Sequence, residues 1–166
     1  MNLIFRTRII ILKIQYKYYF TYILYPMSLN YYIFHSENRE YTSWSTVPTV
    51  TTLDIDPISN NLLSGDEFTL LSDMNTILIS NSPIRDSKSI PGVLILHGNR
   101  TFGRTTNGRL LYQCIPFDKT LPVFLLPYDA KIGFHKLQTN KYILFRFSNW
   151  DEKHPMGIIT ETIGDV

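Results

Sequence analysis

Apolar and polar positions alternate with a period of two through most of the second half of the chain, which predicts strands rather than helices. The pattern is clearest over residues 141–147. Tyr142, Leu144 and Arg146 fall on one face there, and Ile143, Phe145 and Phe147 on the other. Residues 157–163 alternate in the same way, with Ile159, Glu161 and Ile163 against Ile158, Thr160 and Thr162. Residues 149–155 between them are polar and charged, and Pro155 cannot donate to a ladder, so the strands break there. The last strand runs out into Gly164-Asp165-Val166 with no sign of closing a domain, at a point where a further element is expected.

Three shorter apolar runs precede this pair, at 92–96, 110–115 and 123–126. The connections are a Gly-punctuated basic segment at 98–109 and two Pro-bounded stretches at 116–122 and 127–138. Five short strands with turn signals and no long amphipathic helix predict a small Greek-key barrel of the OB type, with a β-sandwich as the rival.

The first half is built from shorter pieces. Tyr31 to Phe34 is strand-like, residues 46–53 are rich in Thr and Val with one Pro, as in an edge strand, and 76–79 predicts a further strand. Asp56-Pro-Ile-Ser-Asn-Asn61 is turn chemistry, and Gly65-Asp66 makes a second turn before Phe68. Polar residues 81–89 form the best domain boundary. The expected class is therefore all-β, two tandem OB-type barrels, the first (28–80) divergent or incomplete and the second at 85–166.

Residues 1–27 stand apart. Two apolar or aromatic runs, 9–12 and 18–25, are interrupted by Arg6, Arg8, Lys13 and Lys17. A spanning helix needs about 20 predominantly apolar residues, and neither an unbroken signal-peptide core nor a small-residue cleavage site is evident. The readings are an interfacial basic-aromatic anchor, a first element of the fold, or translated upstream sequence with Met27 as the start. Membrane contact is the least favoured of these.

Composition changes the picture little. With Lys and Arg at 16 and Asp and Glu at 14, the charge permits nucleic acid without demanding it. Abundant Tyr and Phe favour strands. Cys114 is the lone cysteine, so no internal disulfide can form and a thiolate zinc site has no second sulfur. A reducing, intracellular compartment follows as the expectation, cytoplasmic or nuclear, and not secretion.

Candidate chemistry is confined to two places. Gly98–Arg109 combines Arg100, Arg104 and Arg109 with Phe102 and flexible glycines. Guanidinium groups fork onto phosphates and an aromatic ring stacks on a base, as single-strand binders use them. The plainer alternative is a solvated hairpin tip whose glycines supply positive φ. It is not a P-loop, because no Gly-Lys-Ser/Thr follows. Asp151-Glu152-Lys153-His154, beside Trp150, invites an acid–base reading, but adjacent carboxylates point apart, so a surface loop with a packed Trp150 is favoured. His35, His97, His135 and His154 lack ligand spacing. Cys114, in an apolar run, is expected in the core. No catalytic constellation emerges.

The ordered segments Ile90-Pro-Gly-Val-Leu-Ile-Leu96, Thr101-Phe-Gly-Arg104, Cys114-Ile-Pro-Phe-Asp-Lys-Thr-Leu-Pro122, Lys141–Trp150 and His154-Pro-Met-Gly-Ile-Ile-Thr-Glu-Thr-Ile-Gly-Asp165 resemble the second cold-shock-like OB domain of ribonuclease II/R-type (RNB) exoribonucleases, including the exosome's catalytic subunit. Residues 57–68, with their Gly-Asp turn, are similar to the family's first cold-shock domain. The resemblance implies part of a 3′-to-5′ exoribonuclease that feeds single-stranded RNA to a catalytic RNB domain in the same or a neighbouring polypeptide. That domain's aspartates, which would hold Mg²⁺ for two-metal hydrolysis, are not in this sequence, so the chain alone is expected to bind RNA and not cut it. It is then a fragment, one piece of a split gene, or a relict. The expected RNA-binding residues are Arg100, Phe102, Arg104, Arg109, Tyr112, Lys141 and Arg146, the loop arginines foremost. Two other classes stay open: an OB-like protein-interaction module, and a protein tethered to a membrane through residues 1–27.

Overall fold

A computed structural model describes residues 31–49, 53–71, 76–129 and 138–166. In chain order the strands are β1 (Tyr31–Ser36), β2 (Trp44–Val47), β3 (Glu67–Leu70), β4 (Ile77–Asn81), β5 (Ile90–Leu94), β6 (Leu111–Pro116), β7 (Phe124–Pro127), β8 (Lys141–Asn149) and β9 (Met156–Asp165). One short helix, α1 (Pro83–Asp86), lies in the polar stretch expected to be a plain linker. Ser82 caps it by accepting from the Arg85 N–H, and proline takes the first turn, where its missing donor costs nothing.

Strands β5, β6, β7, β9 and β8 close into a barrel in that order. All neighbours are antiparallel except β7 and β9, which meet in parallel at Leu125 and Met156. In chain order this is 1-2-3-5-4 closing back on 1, an OB-like barrel. The parity read from the sequence explains its inside. Ile90, Leu94, Cys114, Phe124, Leu126, Ile143 and Phe145 all point inward and are buried. The Phe124 and Phe145 rings meet edge-on at 5.0 Å. Each large apolar side chain removed from water here stabilises the fold by about 1.5–3 kcal/mol.

The final strand does close the barrel, contrary to the sequence expectation. Glycine makes this possible. A Cβ on Gly157 would sit 2.6 Å from Leu126 Cδ2 and 2.8 Å from both the Arg146 carbonyl oxygen and Phe145 Cδ2. Only a residue without a side chain lets β9 pass this close over β7 and β8. Just before it, the Pro155 carbonyl accepts from the Leu125 N–H at 2.9 Å.

The first half is a four-stranded sheet, β2-β1-β3-β4, antiparallel throughout. Its pairings repeat those of the barrel. β1 joins β2 and β3 as β5 joins β6 and β8, and β4 follows β3 as β9 follows β8. A counterpart of β7 is not found among the described residues, where 53–63 pass in turns and irregular chain. Strand β2 stops before Pro48, consistent with an edge. Phe34, Phe68, Leu62 and Leu63 form this half's core and belong to one apolar cluster with the barrel interior.

Polar contacts fix the two halves together. Arg85 pairs with Asp66, which has no exposed surface, and lies over the Phe147 ring. Asn61 Nδ2 donates to the Trp150 carbonyl at 2.8 Å, and Arg39 Nη2 donates to the Pro116 carbonyl at 2.7 Å.

Candidate nucleic-acid interface

The connection between β5 and β6 projects from one end of the barrel and is itself a small hairpin. Phe102 N–H donates to the Leu111 carbonyl at 2.9 Å, Leu111 N–H donates to the Gly103 carbonyl at 3.0 Å, and Arg104 bridges to Leu110. Beyond that the chain turns at 105–109. Gly108 N–H donates to the Thr105 carbonyl, Thr105 N–H to the Arg109 carbonyl, and Arg109 N–H to Thr105 Oγ1. Gly103 and Gly108 sit at φ of 108° and 81°, the left-handed region where a side chain would be strained. Asn140 holds the base of the connection, its Oδ1 accepting from the N–H groups of both Leu96 and His97 at 2.9 Å.

This scaffold presents Arg100, Arg104 and Arg109 to solvent. The Arg100 guanidinium lies over the half-buried Phe102 ring, 5.0 Å from its centroid. Arg104 Nη1 donates to the Gly108 carbonyl at 2.9 Å, which stiffens the tip while leaving other donors outward. Arg109 Nε is 2.9 Å from Asp129 in an exposed ion pair. The connection thus has the turn geometry expected of a solvated hairpin tip, with its three arginines exposed.

The other candidate residues separate. Lys141 starts β8 beside the base of this hairpin and is paired with Asp165 across β9. That bond raises the Lys141 ammonium and lowers the Asp165 carboxyl. Arg146 is exposed on the outer face of β8, toward the opposite end of the barrel. Tyr112 is a correction. It is 3 % exposed, packed edge-on against Tyr128 inside the barrel, and its ring is not open to a base.

One surface feature was not singled out from the sequence. Val93 lies opposite Ile115 on one side and Tyr142 on the other, and Pro91 lies opposite Leu144. Phe117 extends this row, its N–H donating to the Pro91 carbonyl at 3.0 Å. Phe117 is 55 % exposed, Tyr142 38 % and Ile115 37 %. The two rings meet edge-on at 6.0 Å. The alternation of residues 141–147 puts Tyr142 on the same face as Arg146, but nothing local places Val93, Ile115 and Phe117 beside it.

The residues of the 150–154 loop divide between core and surface. Trp150 is buried, while Asp151, Glu152 and Lys153 are exposed. Burial and the neighbouring Lys153 lower the His154 imidazole. Burial pushes the Cys114 thiol up to about 12. Among the described residues no three His, Cys, Asp or Glu side chains gather as a metal site. Among the same residues no helix is long and apolar enough to cross a membrane. No family model and no curated protein matches the chain.

Proposed function

We propose that the chain is a single-stranded RNA-binding module of OB type. Its role is to feed RNA to the catalytic domain of a ribonuclease II/R-type 3′-to-5′ exoribonuclease, held in the same or a neighbouring polypeptide. The observation that carries this reading is the hairpin of Arg100, Arg104 and Arg109 between the first two strands of a closed five-stranded barrel. OB folds use that loop in binding oligonucleotides. Forked guanidinium donors suit phosphate oxygens, and their exposure keeps them available.

The repeated pairing scheme supports reading the first half as a divergent cold-shock-like domain in tandem with the second. The close approach at Gly157 gives the His-Pro-Met-Gly stretch a physical reason that suits the family resemblance. Mg²⁺ and hydrolysis belong, in this reading, to the catalytic domain.

The test is incubation of the purified chain with end-labelled single-stranded RNA and Mg²⁺. Binding is followed by gel shift and product length on a denaturing gel. A shifted, full-length RNA is the expected result. Absence of any shift at low salt contradicts the reading and favours a protein-interaction module.

A further inference from the structure

We propose that the exposed aromatic pair Phe117 and Tyr142 is a base-stacking platform, and that a single strand runs along the outer face of β6 from the arginine hairpin to this pair. The inference rests on the RNA-binding reading above and extends it to a second contact site. Strand β6 begins at Leu111, hydrogen-bonded to the hairpin, and ends at Pro116, next to Phe117. A strand of this length spans about 20 Å. The hairpin and the aromatic pair thus lie at the two ends of one strand, on a span that suits the site size of an OB fold, about 4–16 nucleotides.

Along the outer face of β6 the path passes half-buried Gln113 and then reaches Ile115, with Val93 beside it on β5 and level with Tyr142. Base planes can lie against such a surface, whereas duplex DNA or RNA keeps its bases stacked on each other. Cations stand at the aromatic end too. Arg146 is two residues beyond Leu144 on the same outer face of β8, and exposed Lys119 follows Phe117 in the chain. The position of Arg146, isolated from the hairpin, is explained if it meets a phosphate at the far end of this path. Glu161, opposite Leu144 on β9, opposes it. Asp118 Oδ1 accepts from its own turn, from the N–H and hydroxyl of Thr120. A purely apolar protein partner would leave these cations unmatched. The arginines at one end and the cations at the other favour a polyanion that carries flat apolar groups.

The test compares the full chain with Phe117→Ala/Tyr142→Ala, using labelled oligouridine and an abasic ribose-phosphate oligomer of equal length. The wild-type chain should bind oligouridine about tenfold tighter than the abasic strand, a preference in the range set by base–aromatic stacking. The double variant should lose that preference and bind both strands equally. A Phe117→Tyr variant should retain it. Equal affinity of the wild-type chain for the two strands, or an unchanged preference in the double variant, overturns the platform. So does a wild-type self-association that the double variant abolishes while RNA affinity stays the same, which would make this face a protein interface. If the wild-type chain binds neither strand, the RNA-binding reading itself has failed, an outcome distinct from loss of the base preference alone.

Discussion

Arg85 stands over the ring of Phe147, its guanidinium carbon 4.7 Å from the ring centroid, and the same guanidinium pairs with Asp66. One side chain thereby ties the first sheet to the barrel. Asp66 is fully buried and also accepts from the Leu63 N–H and from the Ser82 hydroxyl. Arg85→Ala leaves that carboxylate without its cation and uncovers Phe147. Because Arg85 keeps some contact with water, the cost falls at the low end of the range for breaking a buried pair, about 3 kcal/mol. Urea denaturation measures it. A loss below about 0.5 kcal/mol, the range of an inert surface substitution, contradicts the clamp.

Glycines 157 and 164 lie on one strand and should behave oppositely. Gly157→Ala forces a Cβ into Leu126, Phe145 and the Arg146 carbonyl and should cost about 2 kcal/mol, as overpacking does. Gly164→Ala meets nothing within 4 Å and should be close to neutral. Thermal melts of the two variants make the comparison. Equal effects would show that β9 does not pass the barrel as closely as described.

His154 gives stability a pH dependence with a definite sign. Its folded-state pKa is lowered, first by burial and then by Lys153, below the unfolded value near 6.5. The unfolded chain therefore binds the proton more readily. This group's contribution is complete above the unfolded pKa and is lost as pH falls through the folded one. His154→Gln should flatten the decline in urea midpoint between neutral and mildly acid pH. An unaltered decline places the sensitivity elsewhere.

Cys114 has no exposed surface and a thiol pushed up to about 12, so a thiol reagent at mildly alkaline pH should label it only as the barrel opens. Labelling should be slow in buffer and fast in denaturant. Fast labelling of the native chain would contradict the packing of β6 against β5 and β7.

Asp129 restrains Arg109 in an ion pair exposed on both sides. Asp129→Asn frees that guanidinium and removes a negative charge beside it. The variant should bind RNA about twofold tighter, since exposed pairs hold their partners weakly. Weaker binding would mean that Asp129 orients the arginine productively.

Much of the barrel was legible from period-two alternation, because a strand with one face buried writes its orientation into its sequence. Residues 141–147 show this, with Ile143 and Phe145 inside and Tyr142 and Arg146 outside. The same rule carried a consequence for Tyr112. It lies two residues from Cys114 on one strand, so a core Cys114 places Tyr112 in the core as well. The outward face of β8-β5-β6 was not legible, since the row Tyr142, Val93, Ile115 forms only when three separate segments align. The closing role of β9 depended on a close tertiary approach at Gly157 that no local signal contains. The first half was the least legible. Its strands are four to six residues long, and the stretch where a fifth would fall carries turn residues.

The central claim, that the arginine hairpin holds the phosphates of a single strand, is tested most directly by fluorescence anisotropy of labelled single-stranded RNA across a salt series. The wild-type chain is compared with Arg100→Ala/Arg104→Ala/Arg109→Ala. These side chains are exposed, so the fold should survive their loss. The account predicts salt-sensitive binding by the wild-type chain, and weaker binding by the variant with a log–log salt slope shallower by about 2 for three phosphates released. Identical affinity and slope in the two proteins, or no binding by either at low salt, would contradict it.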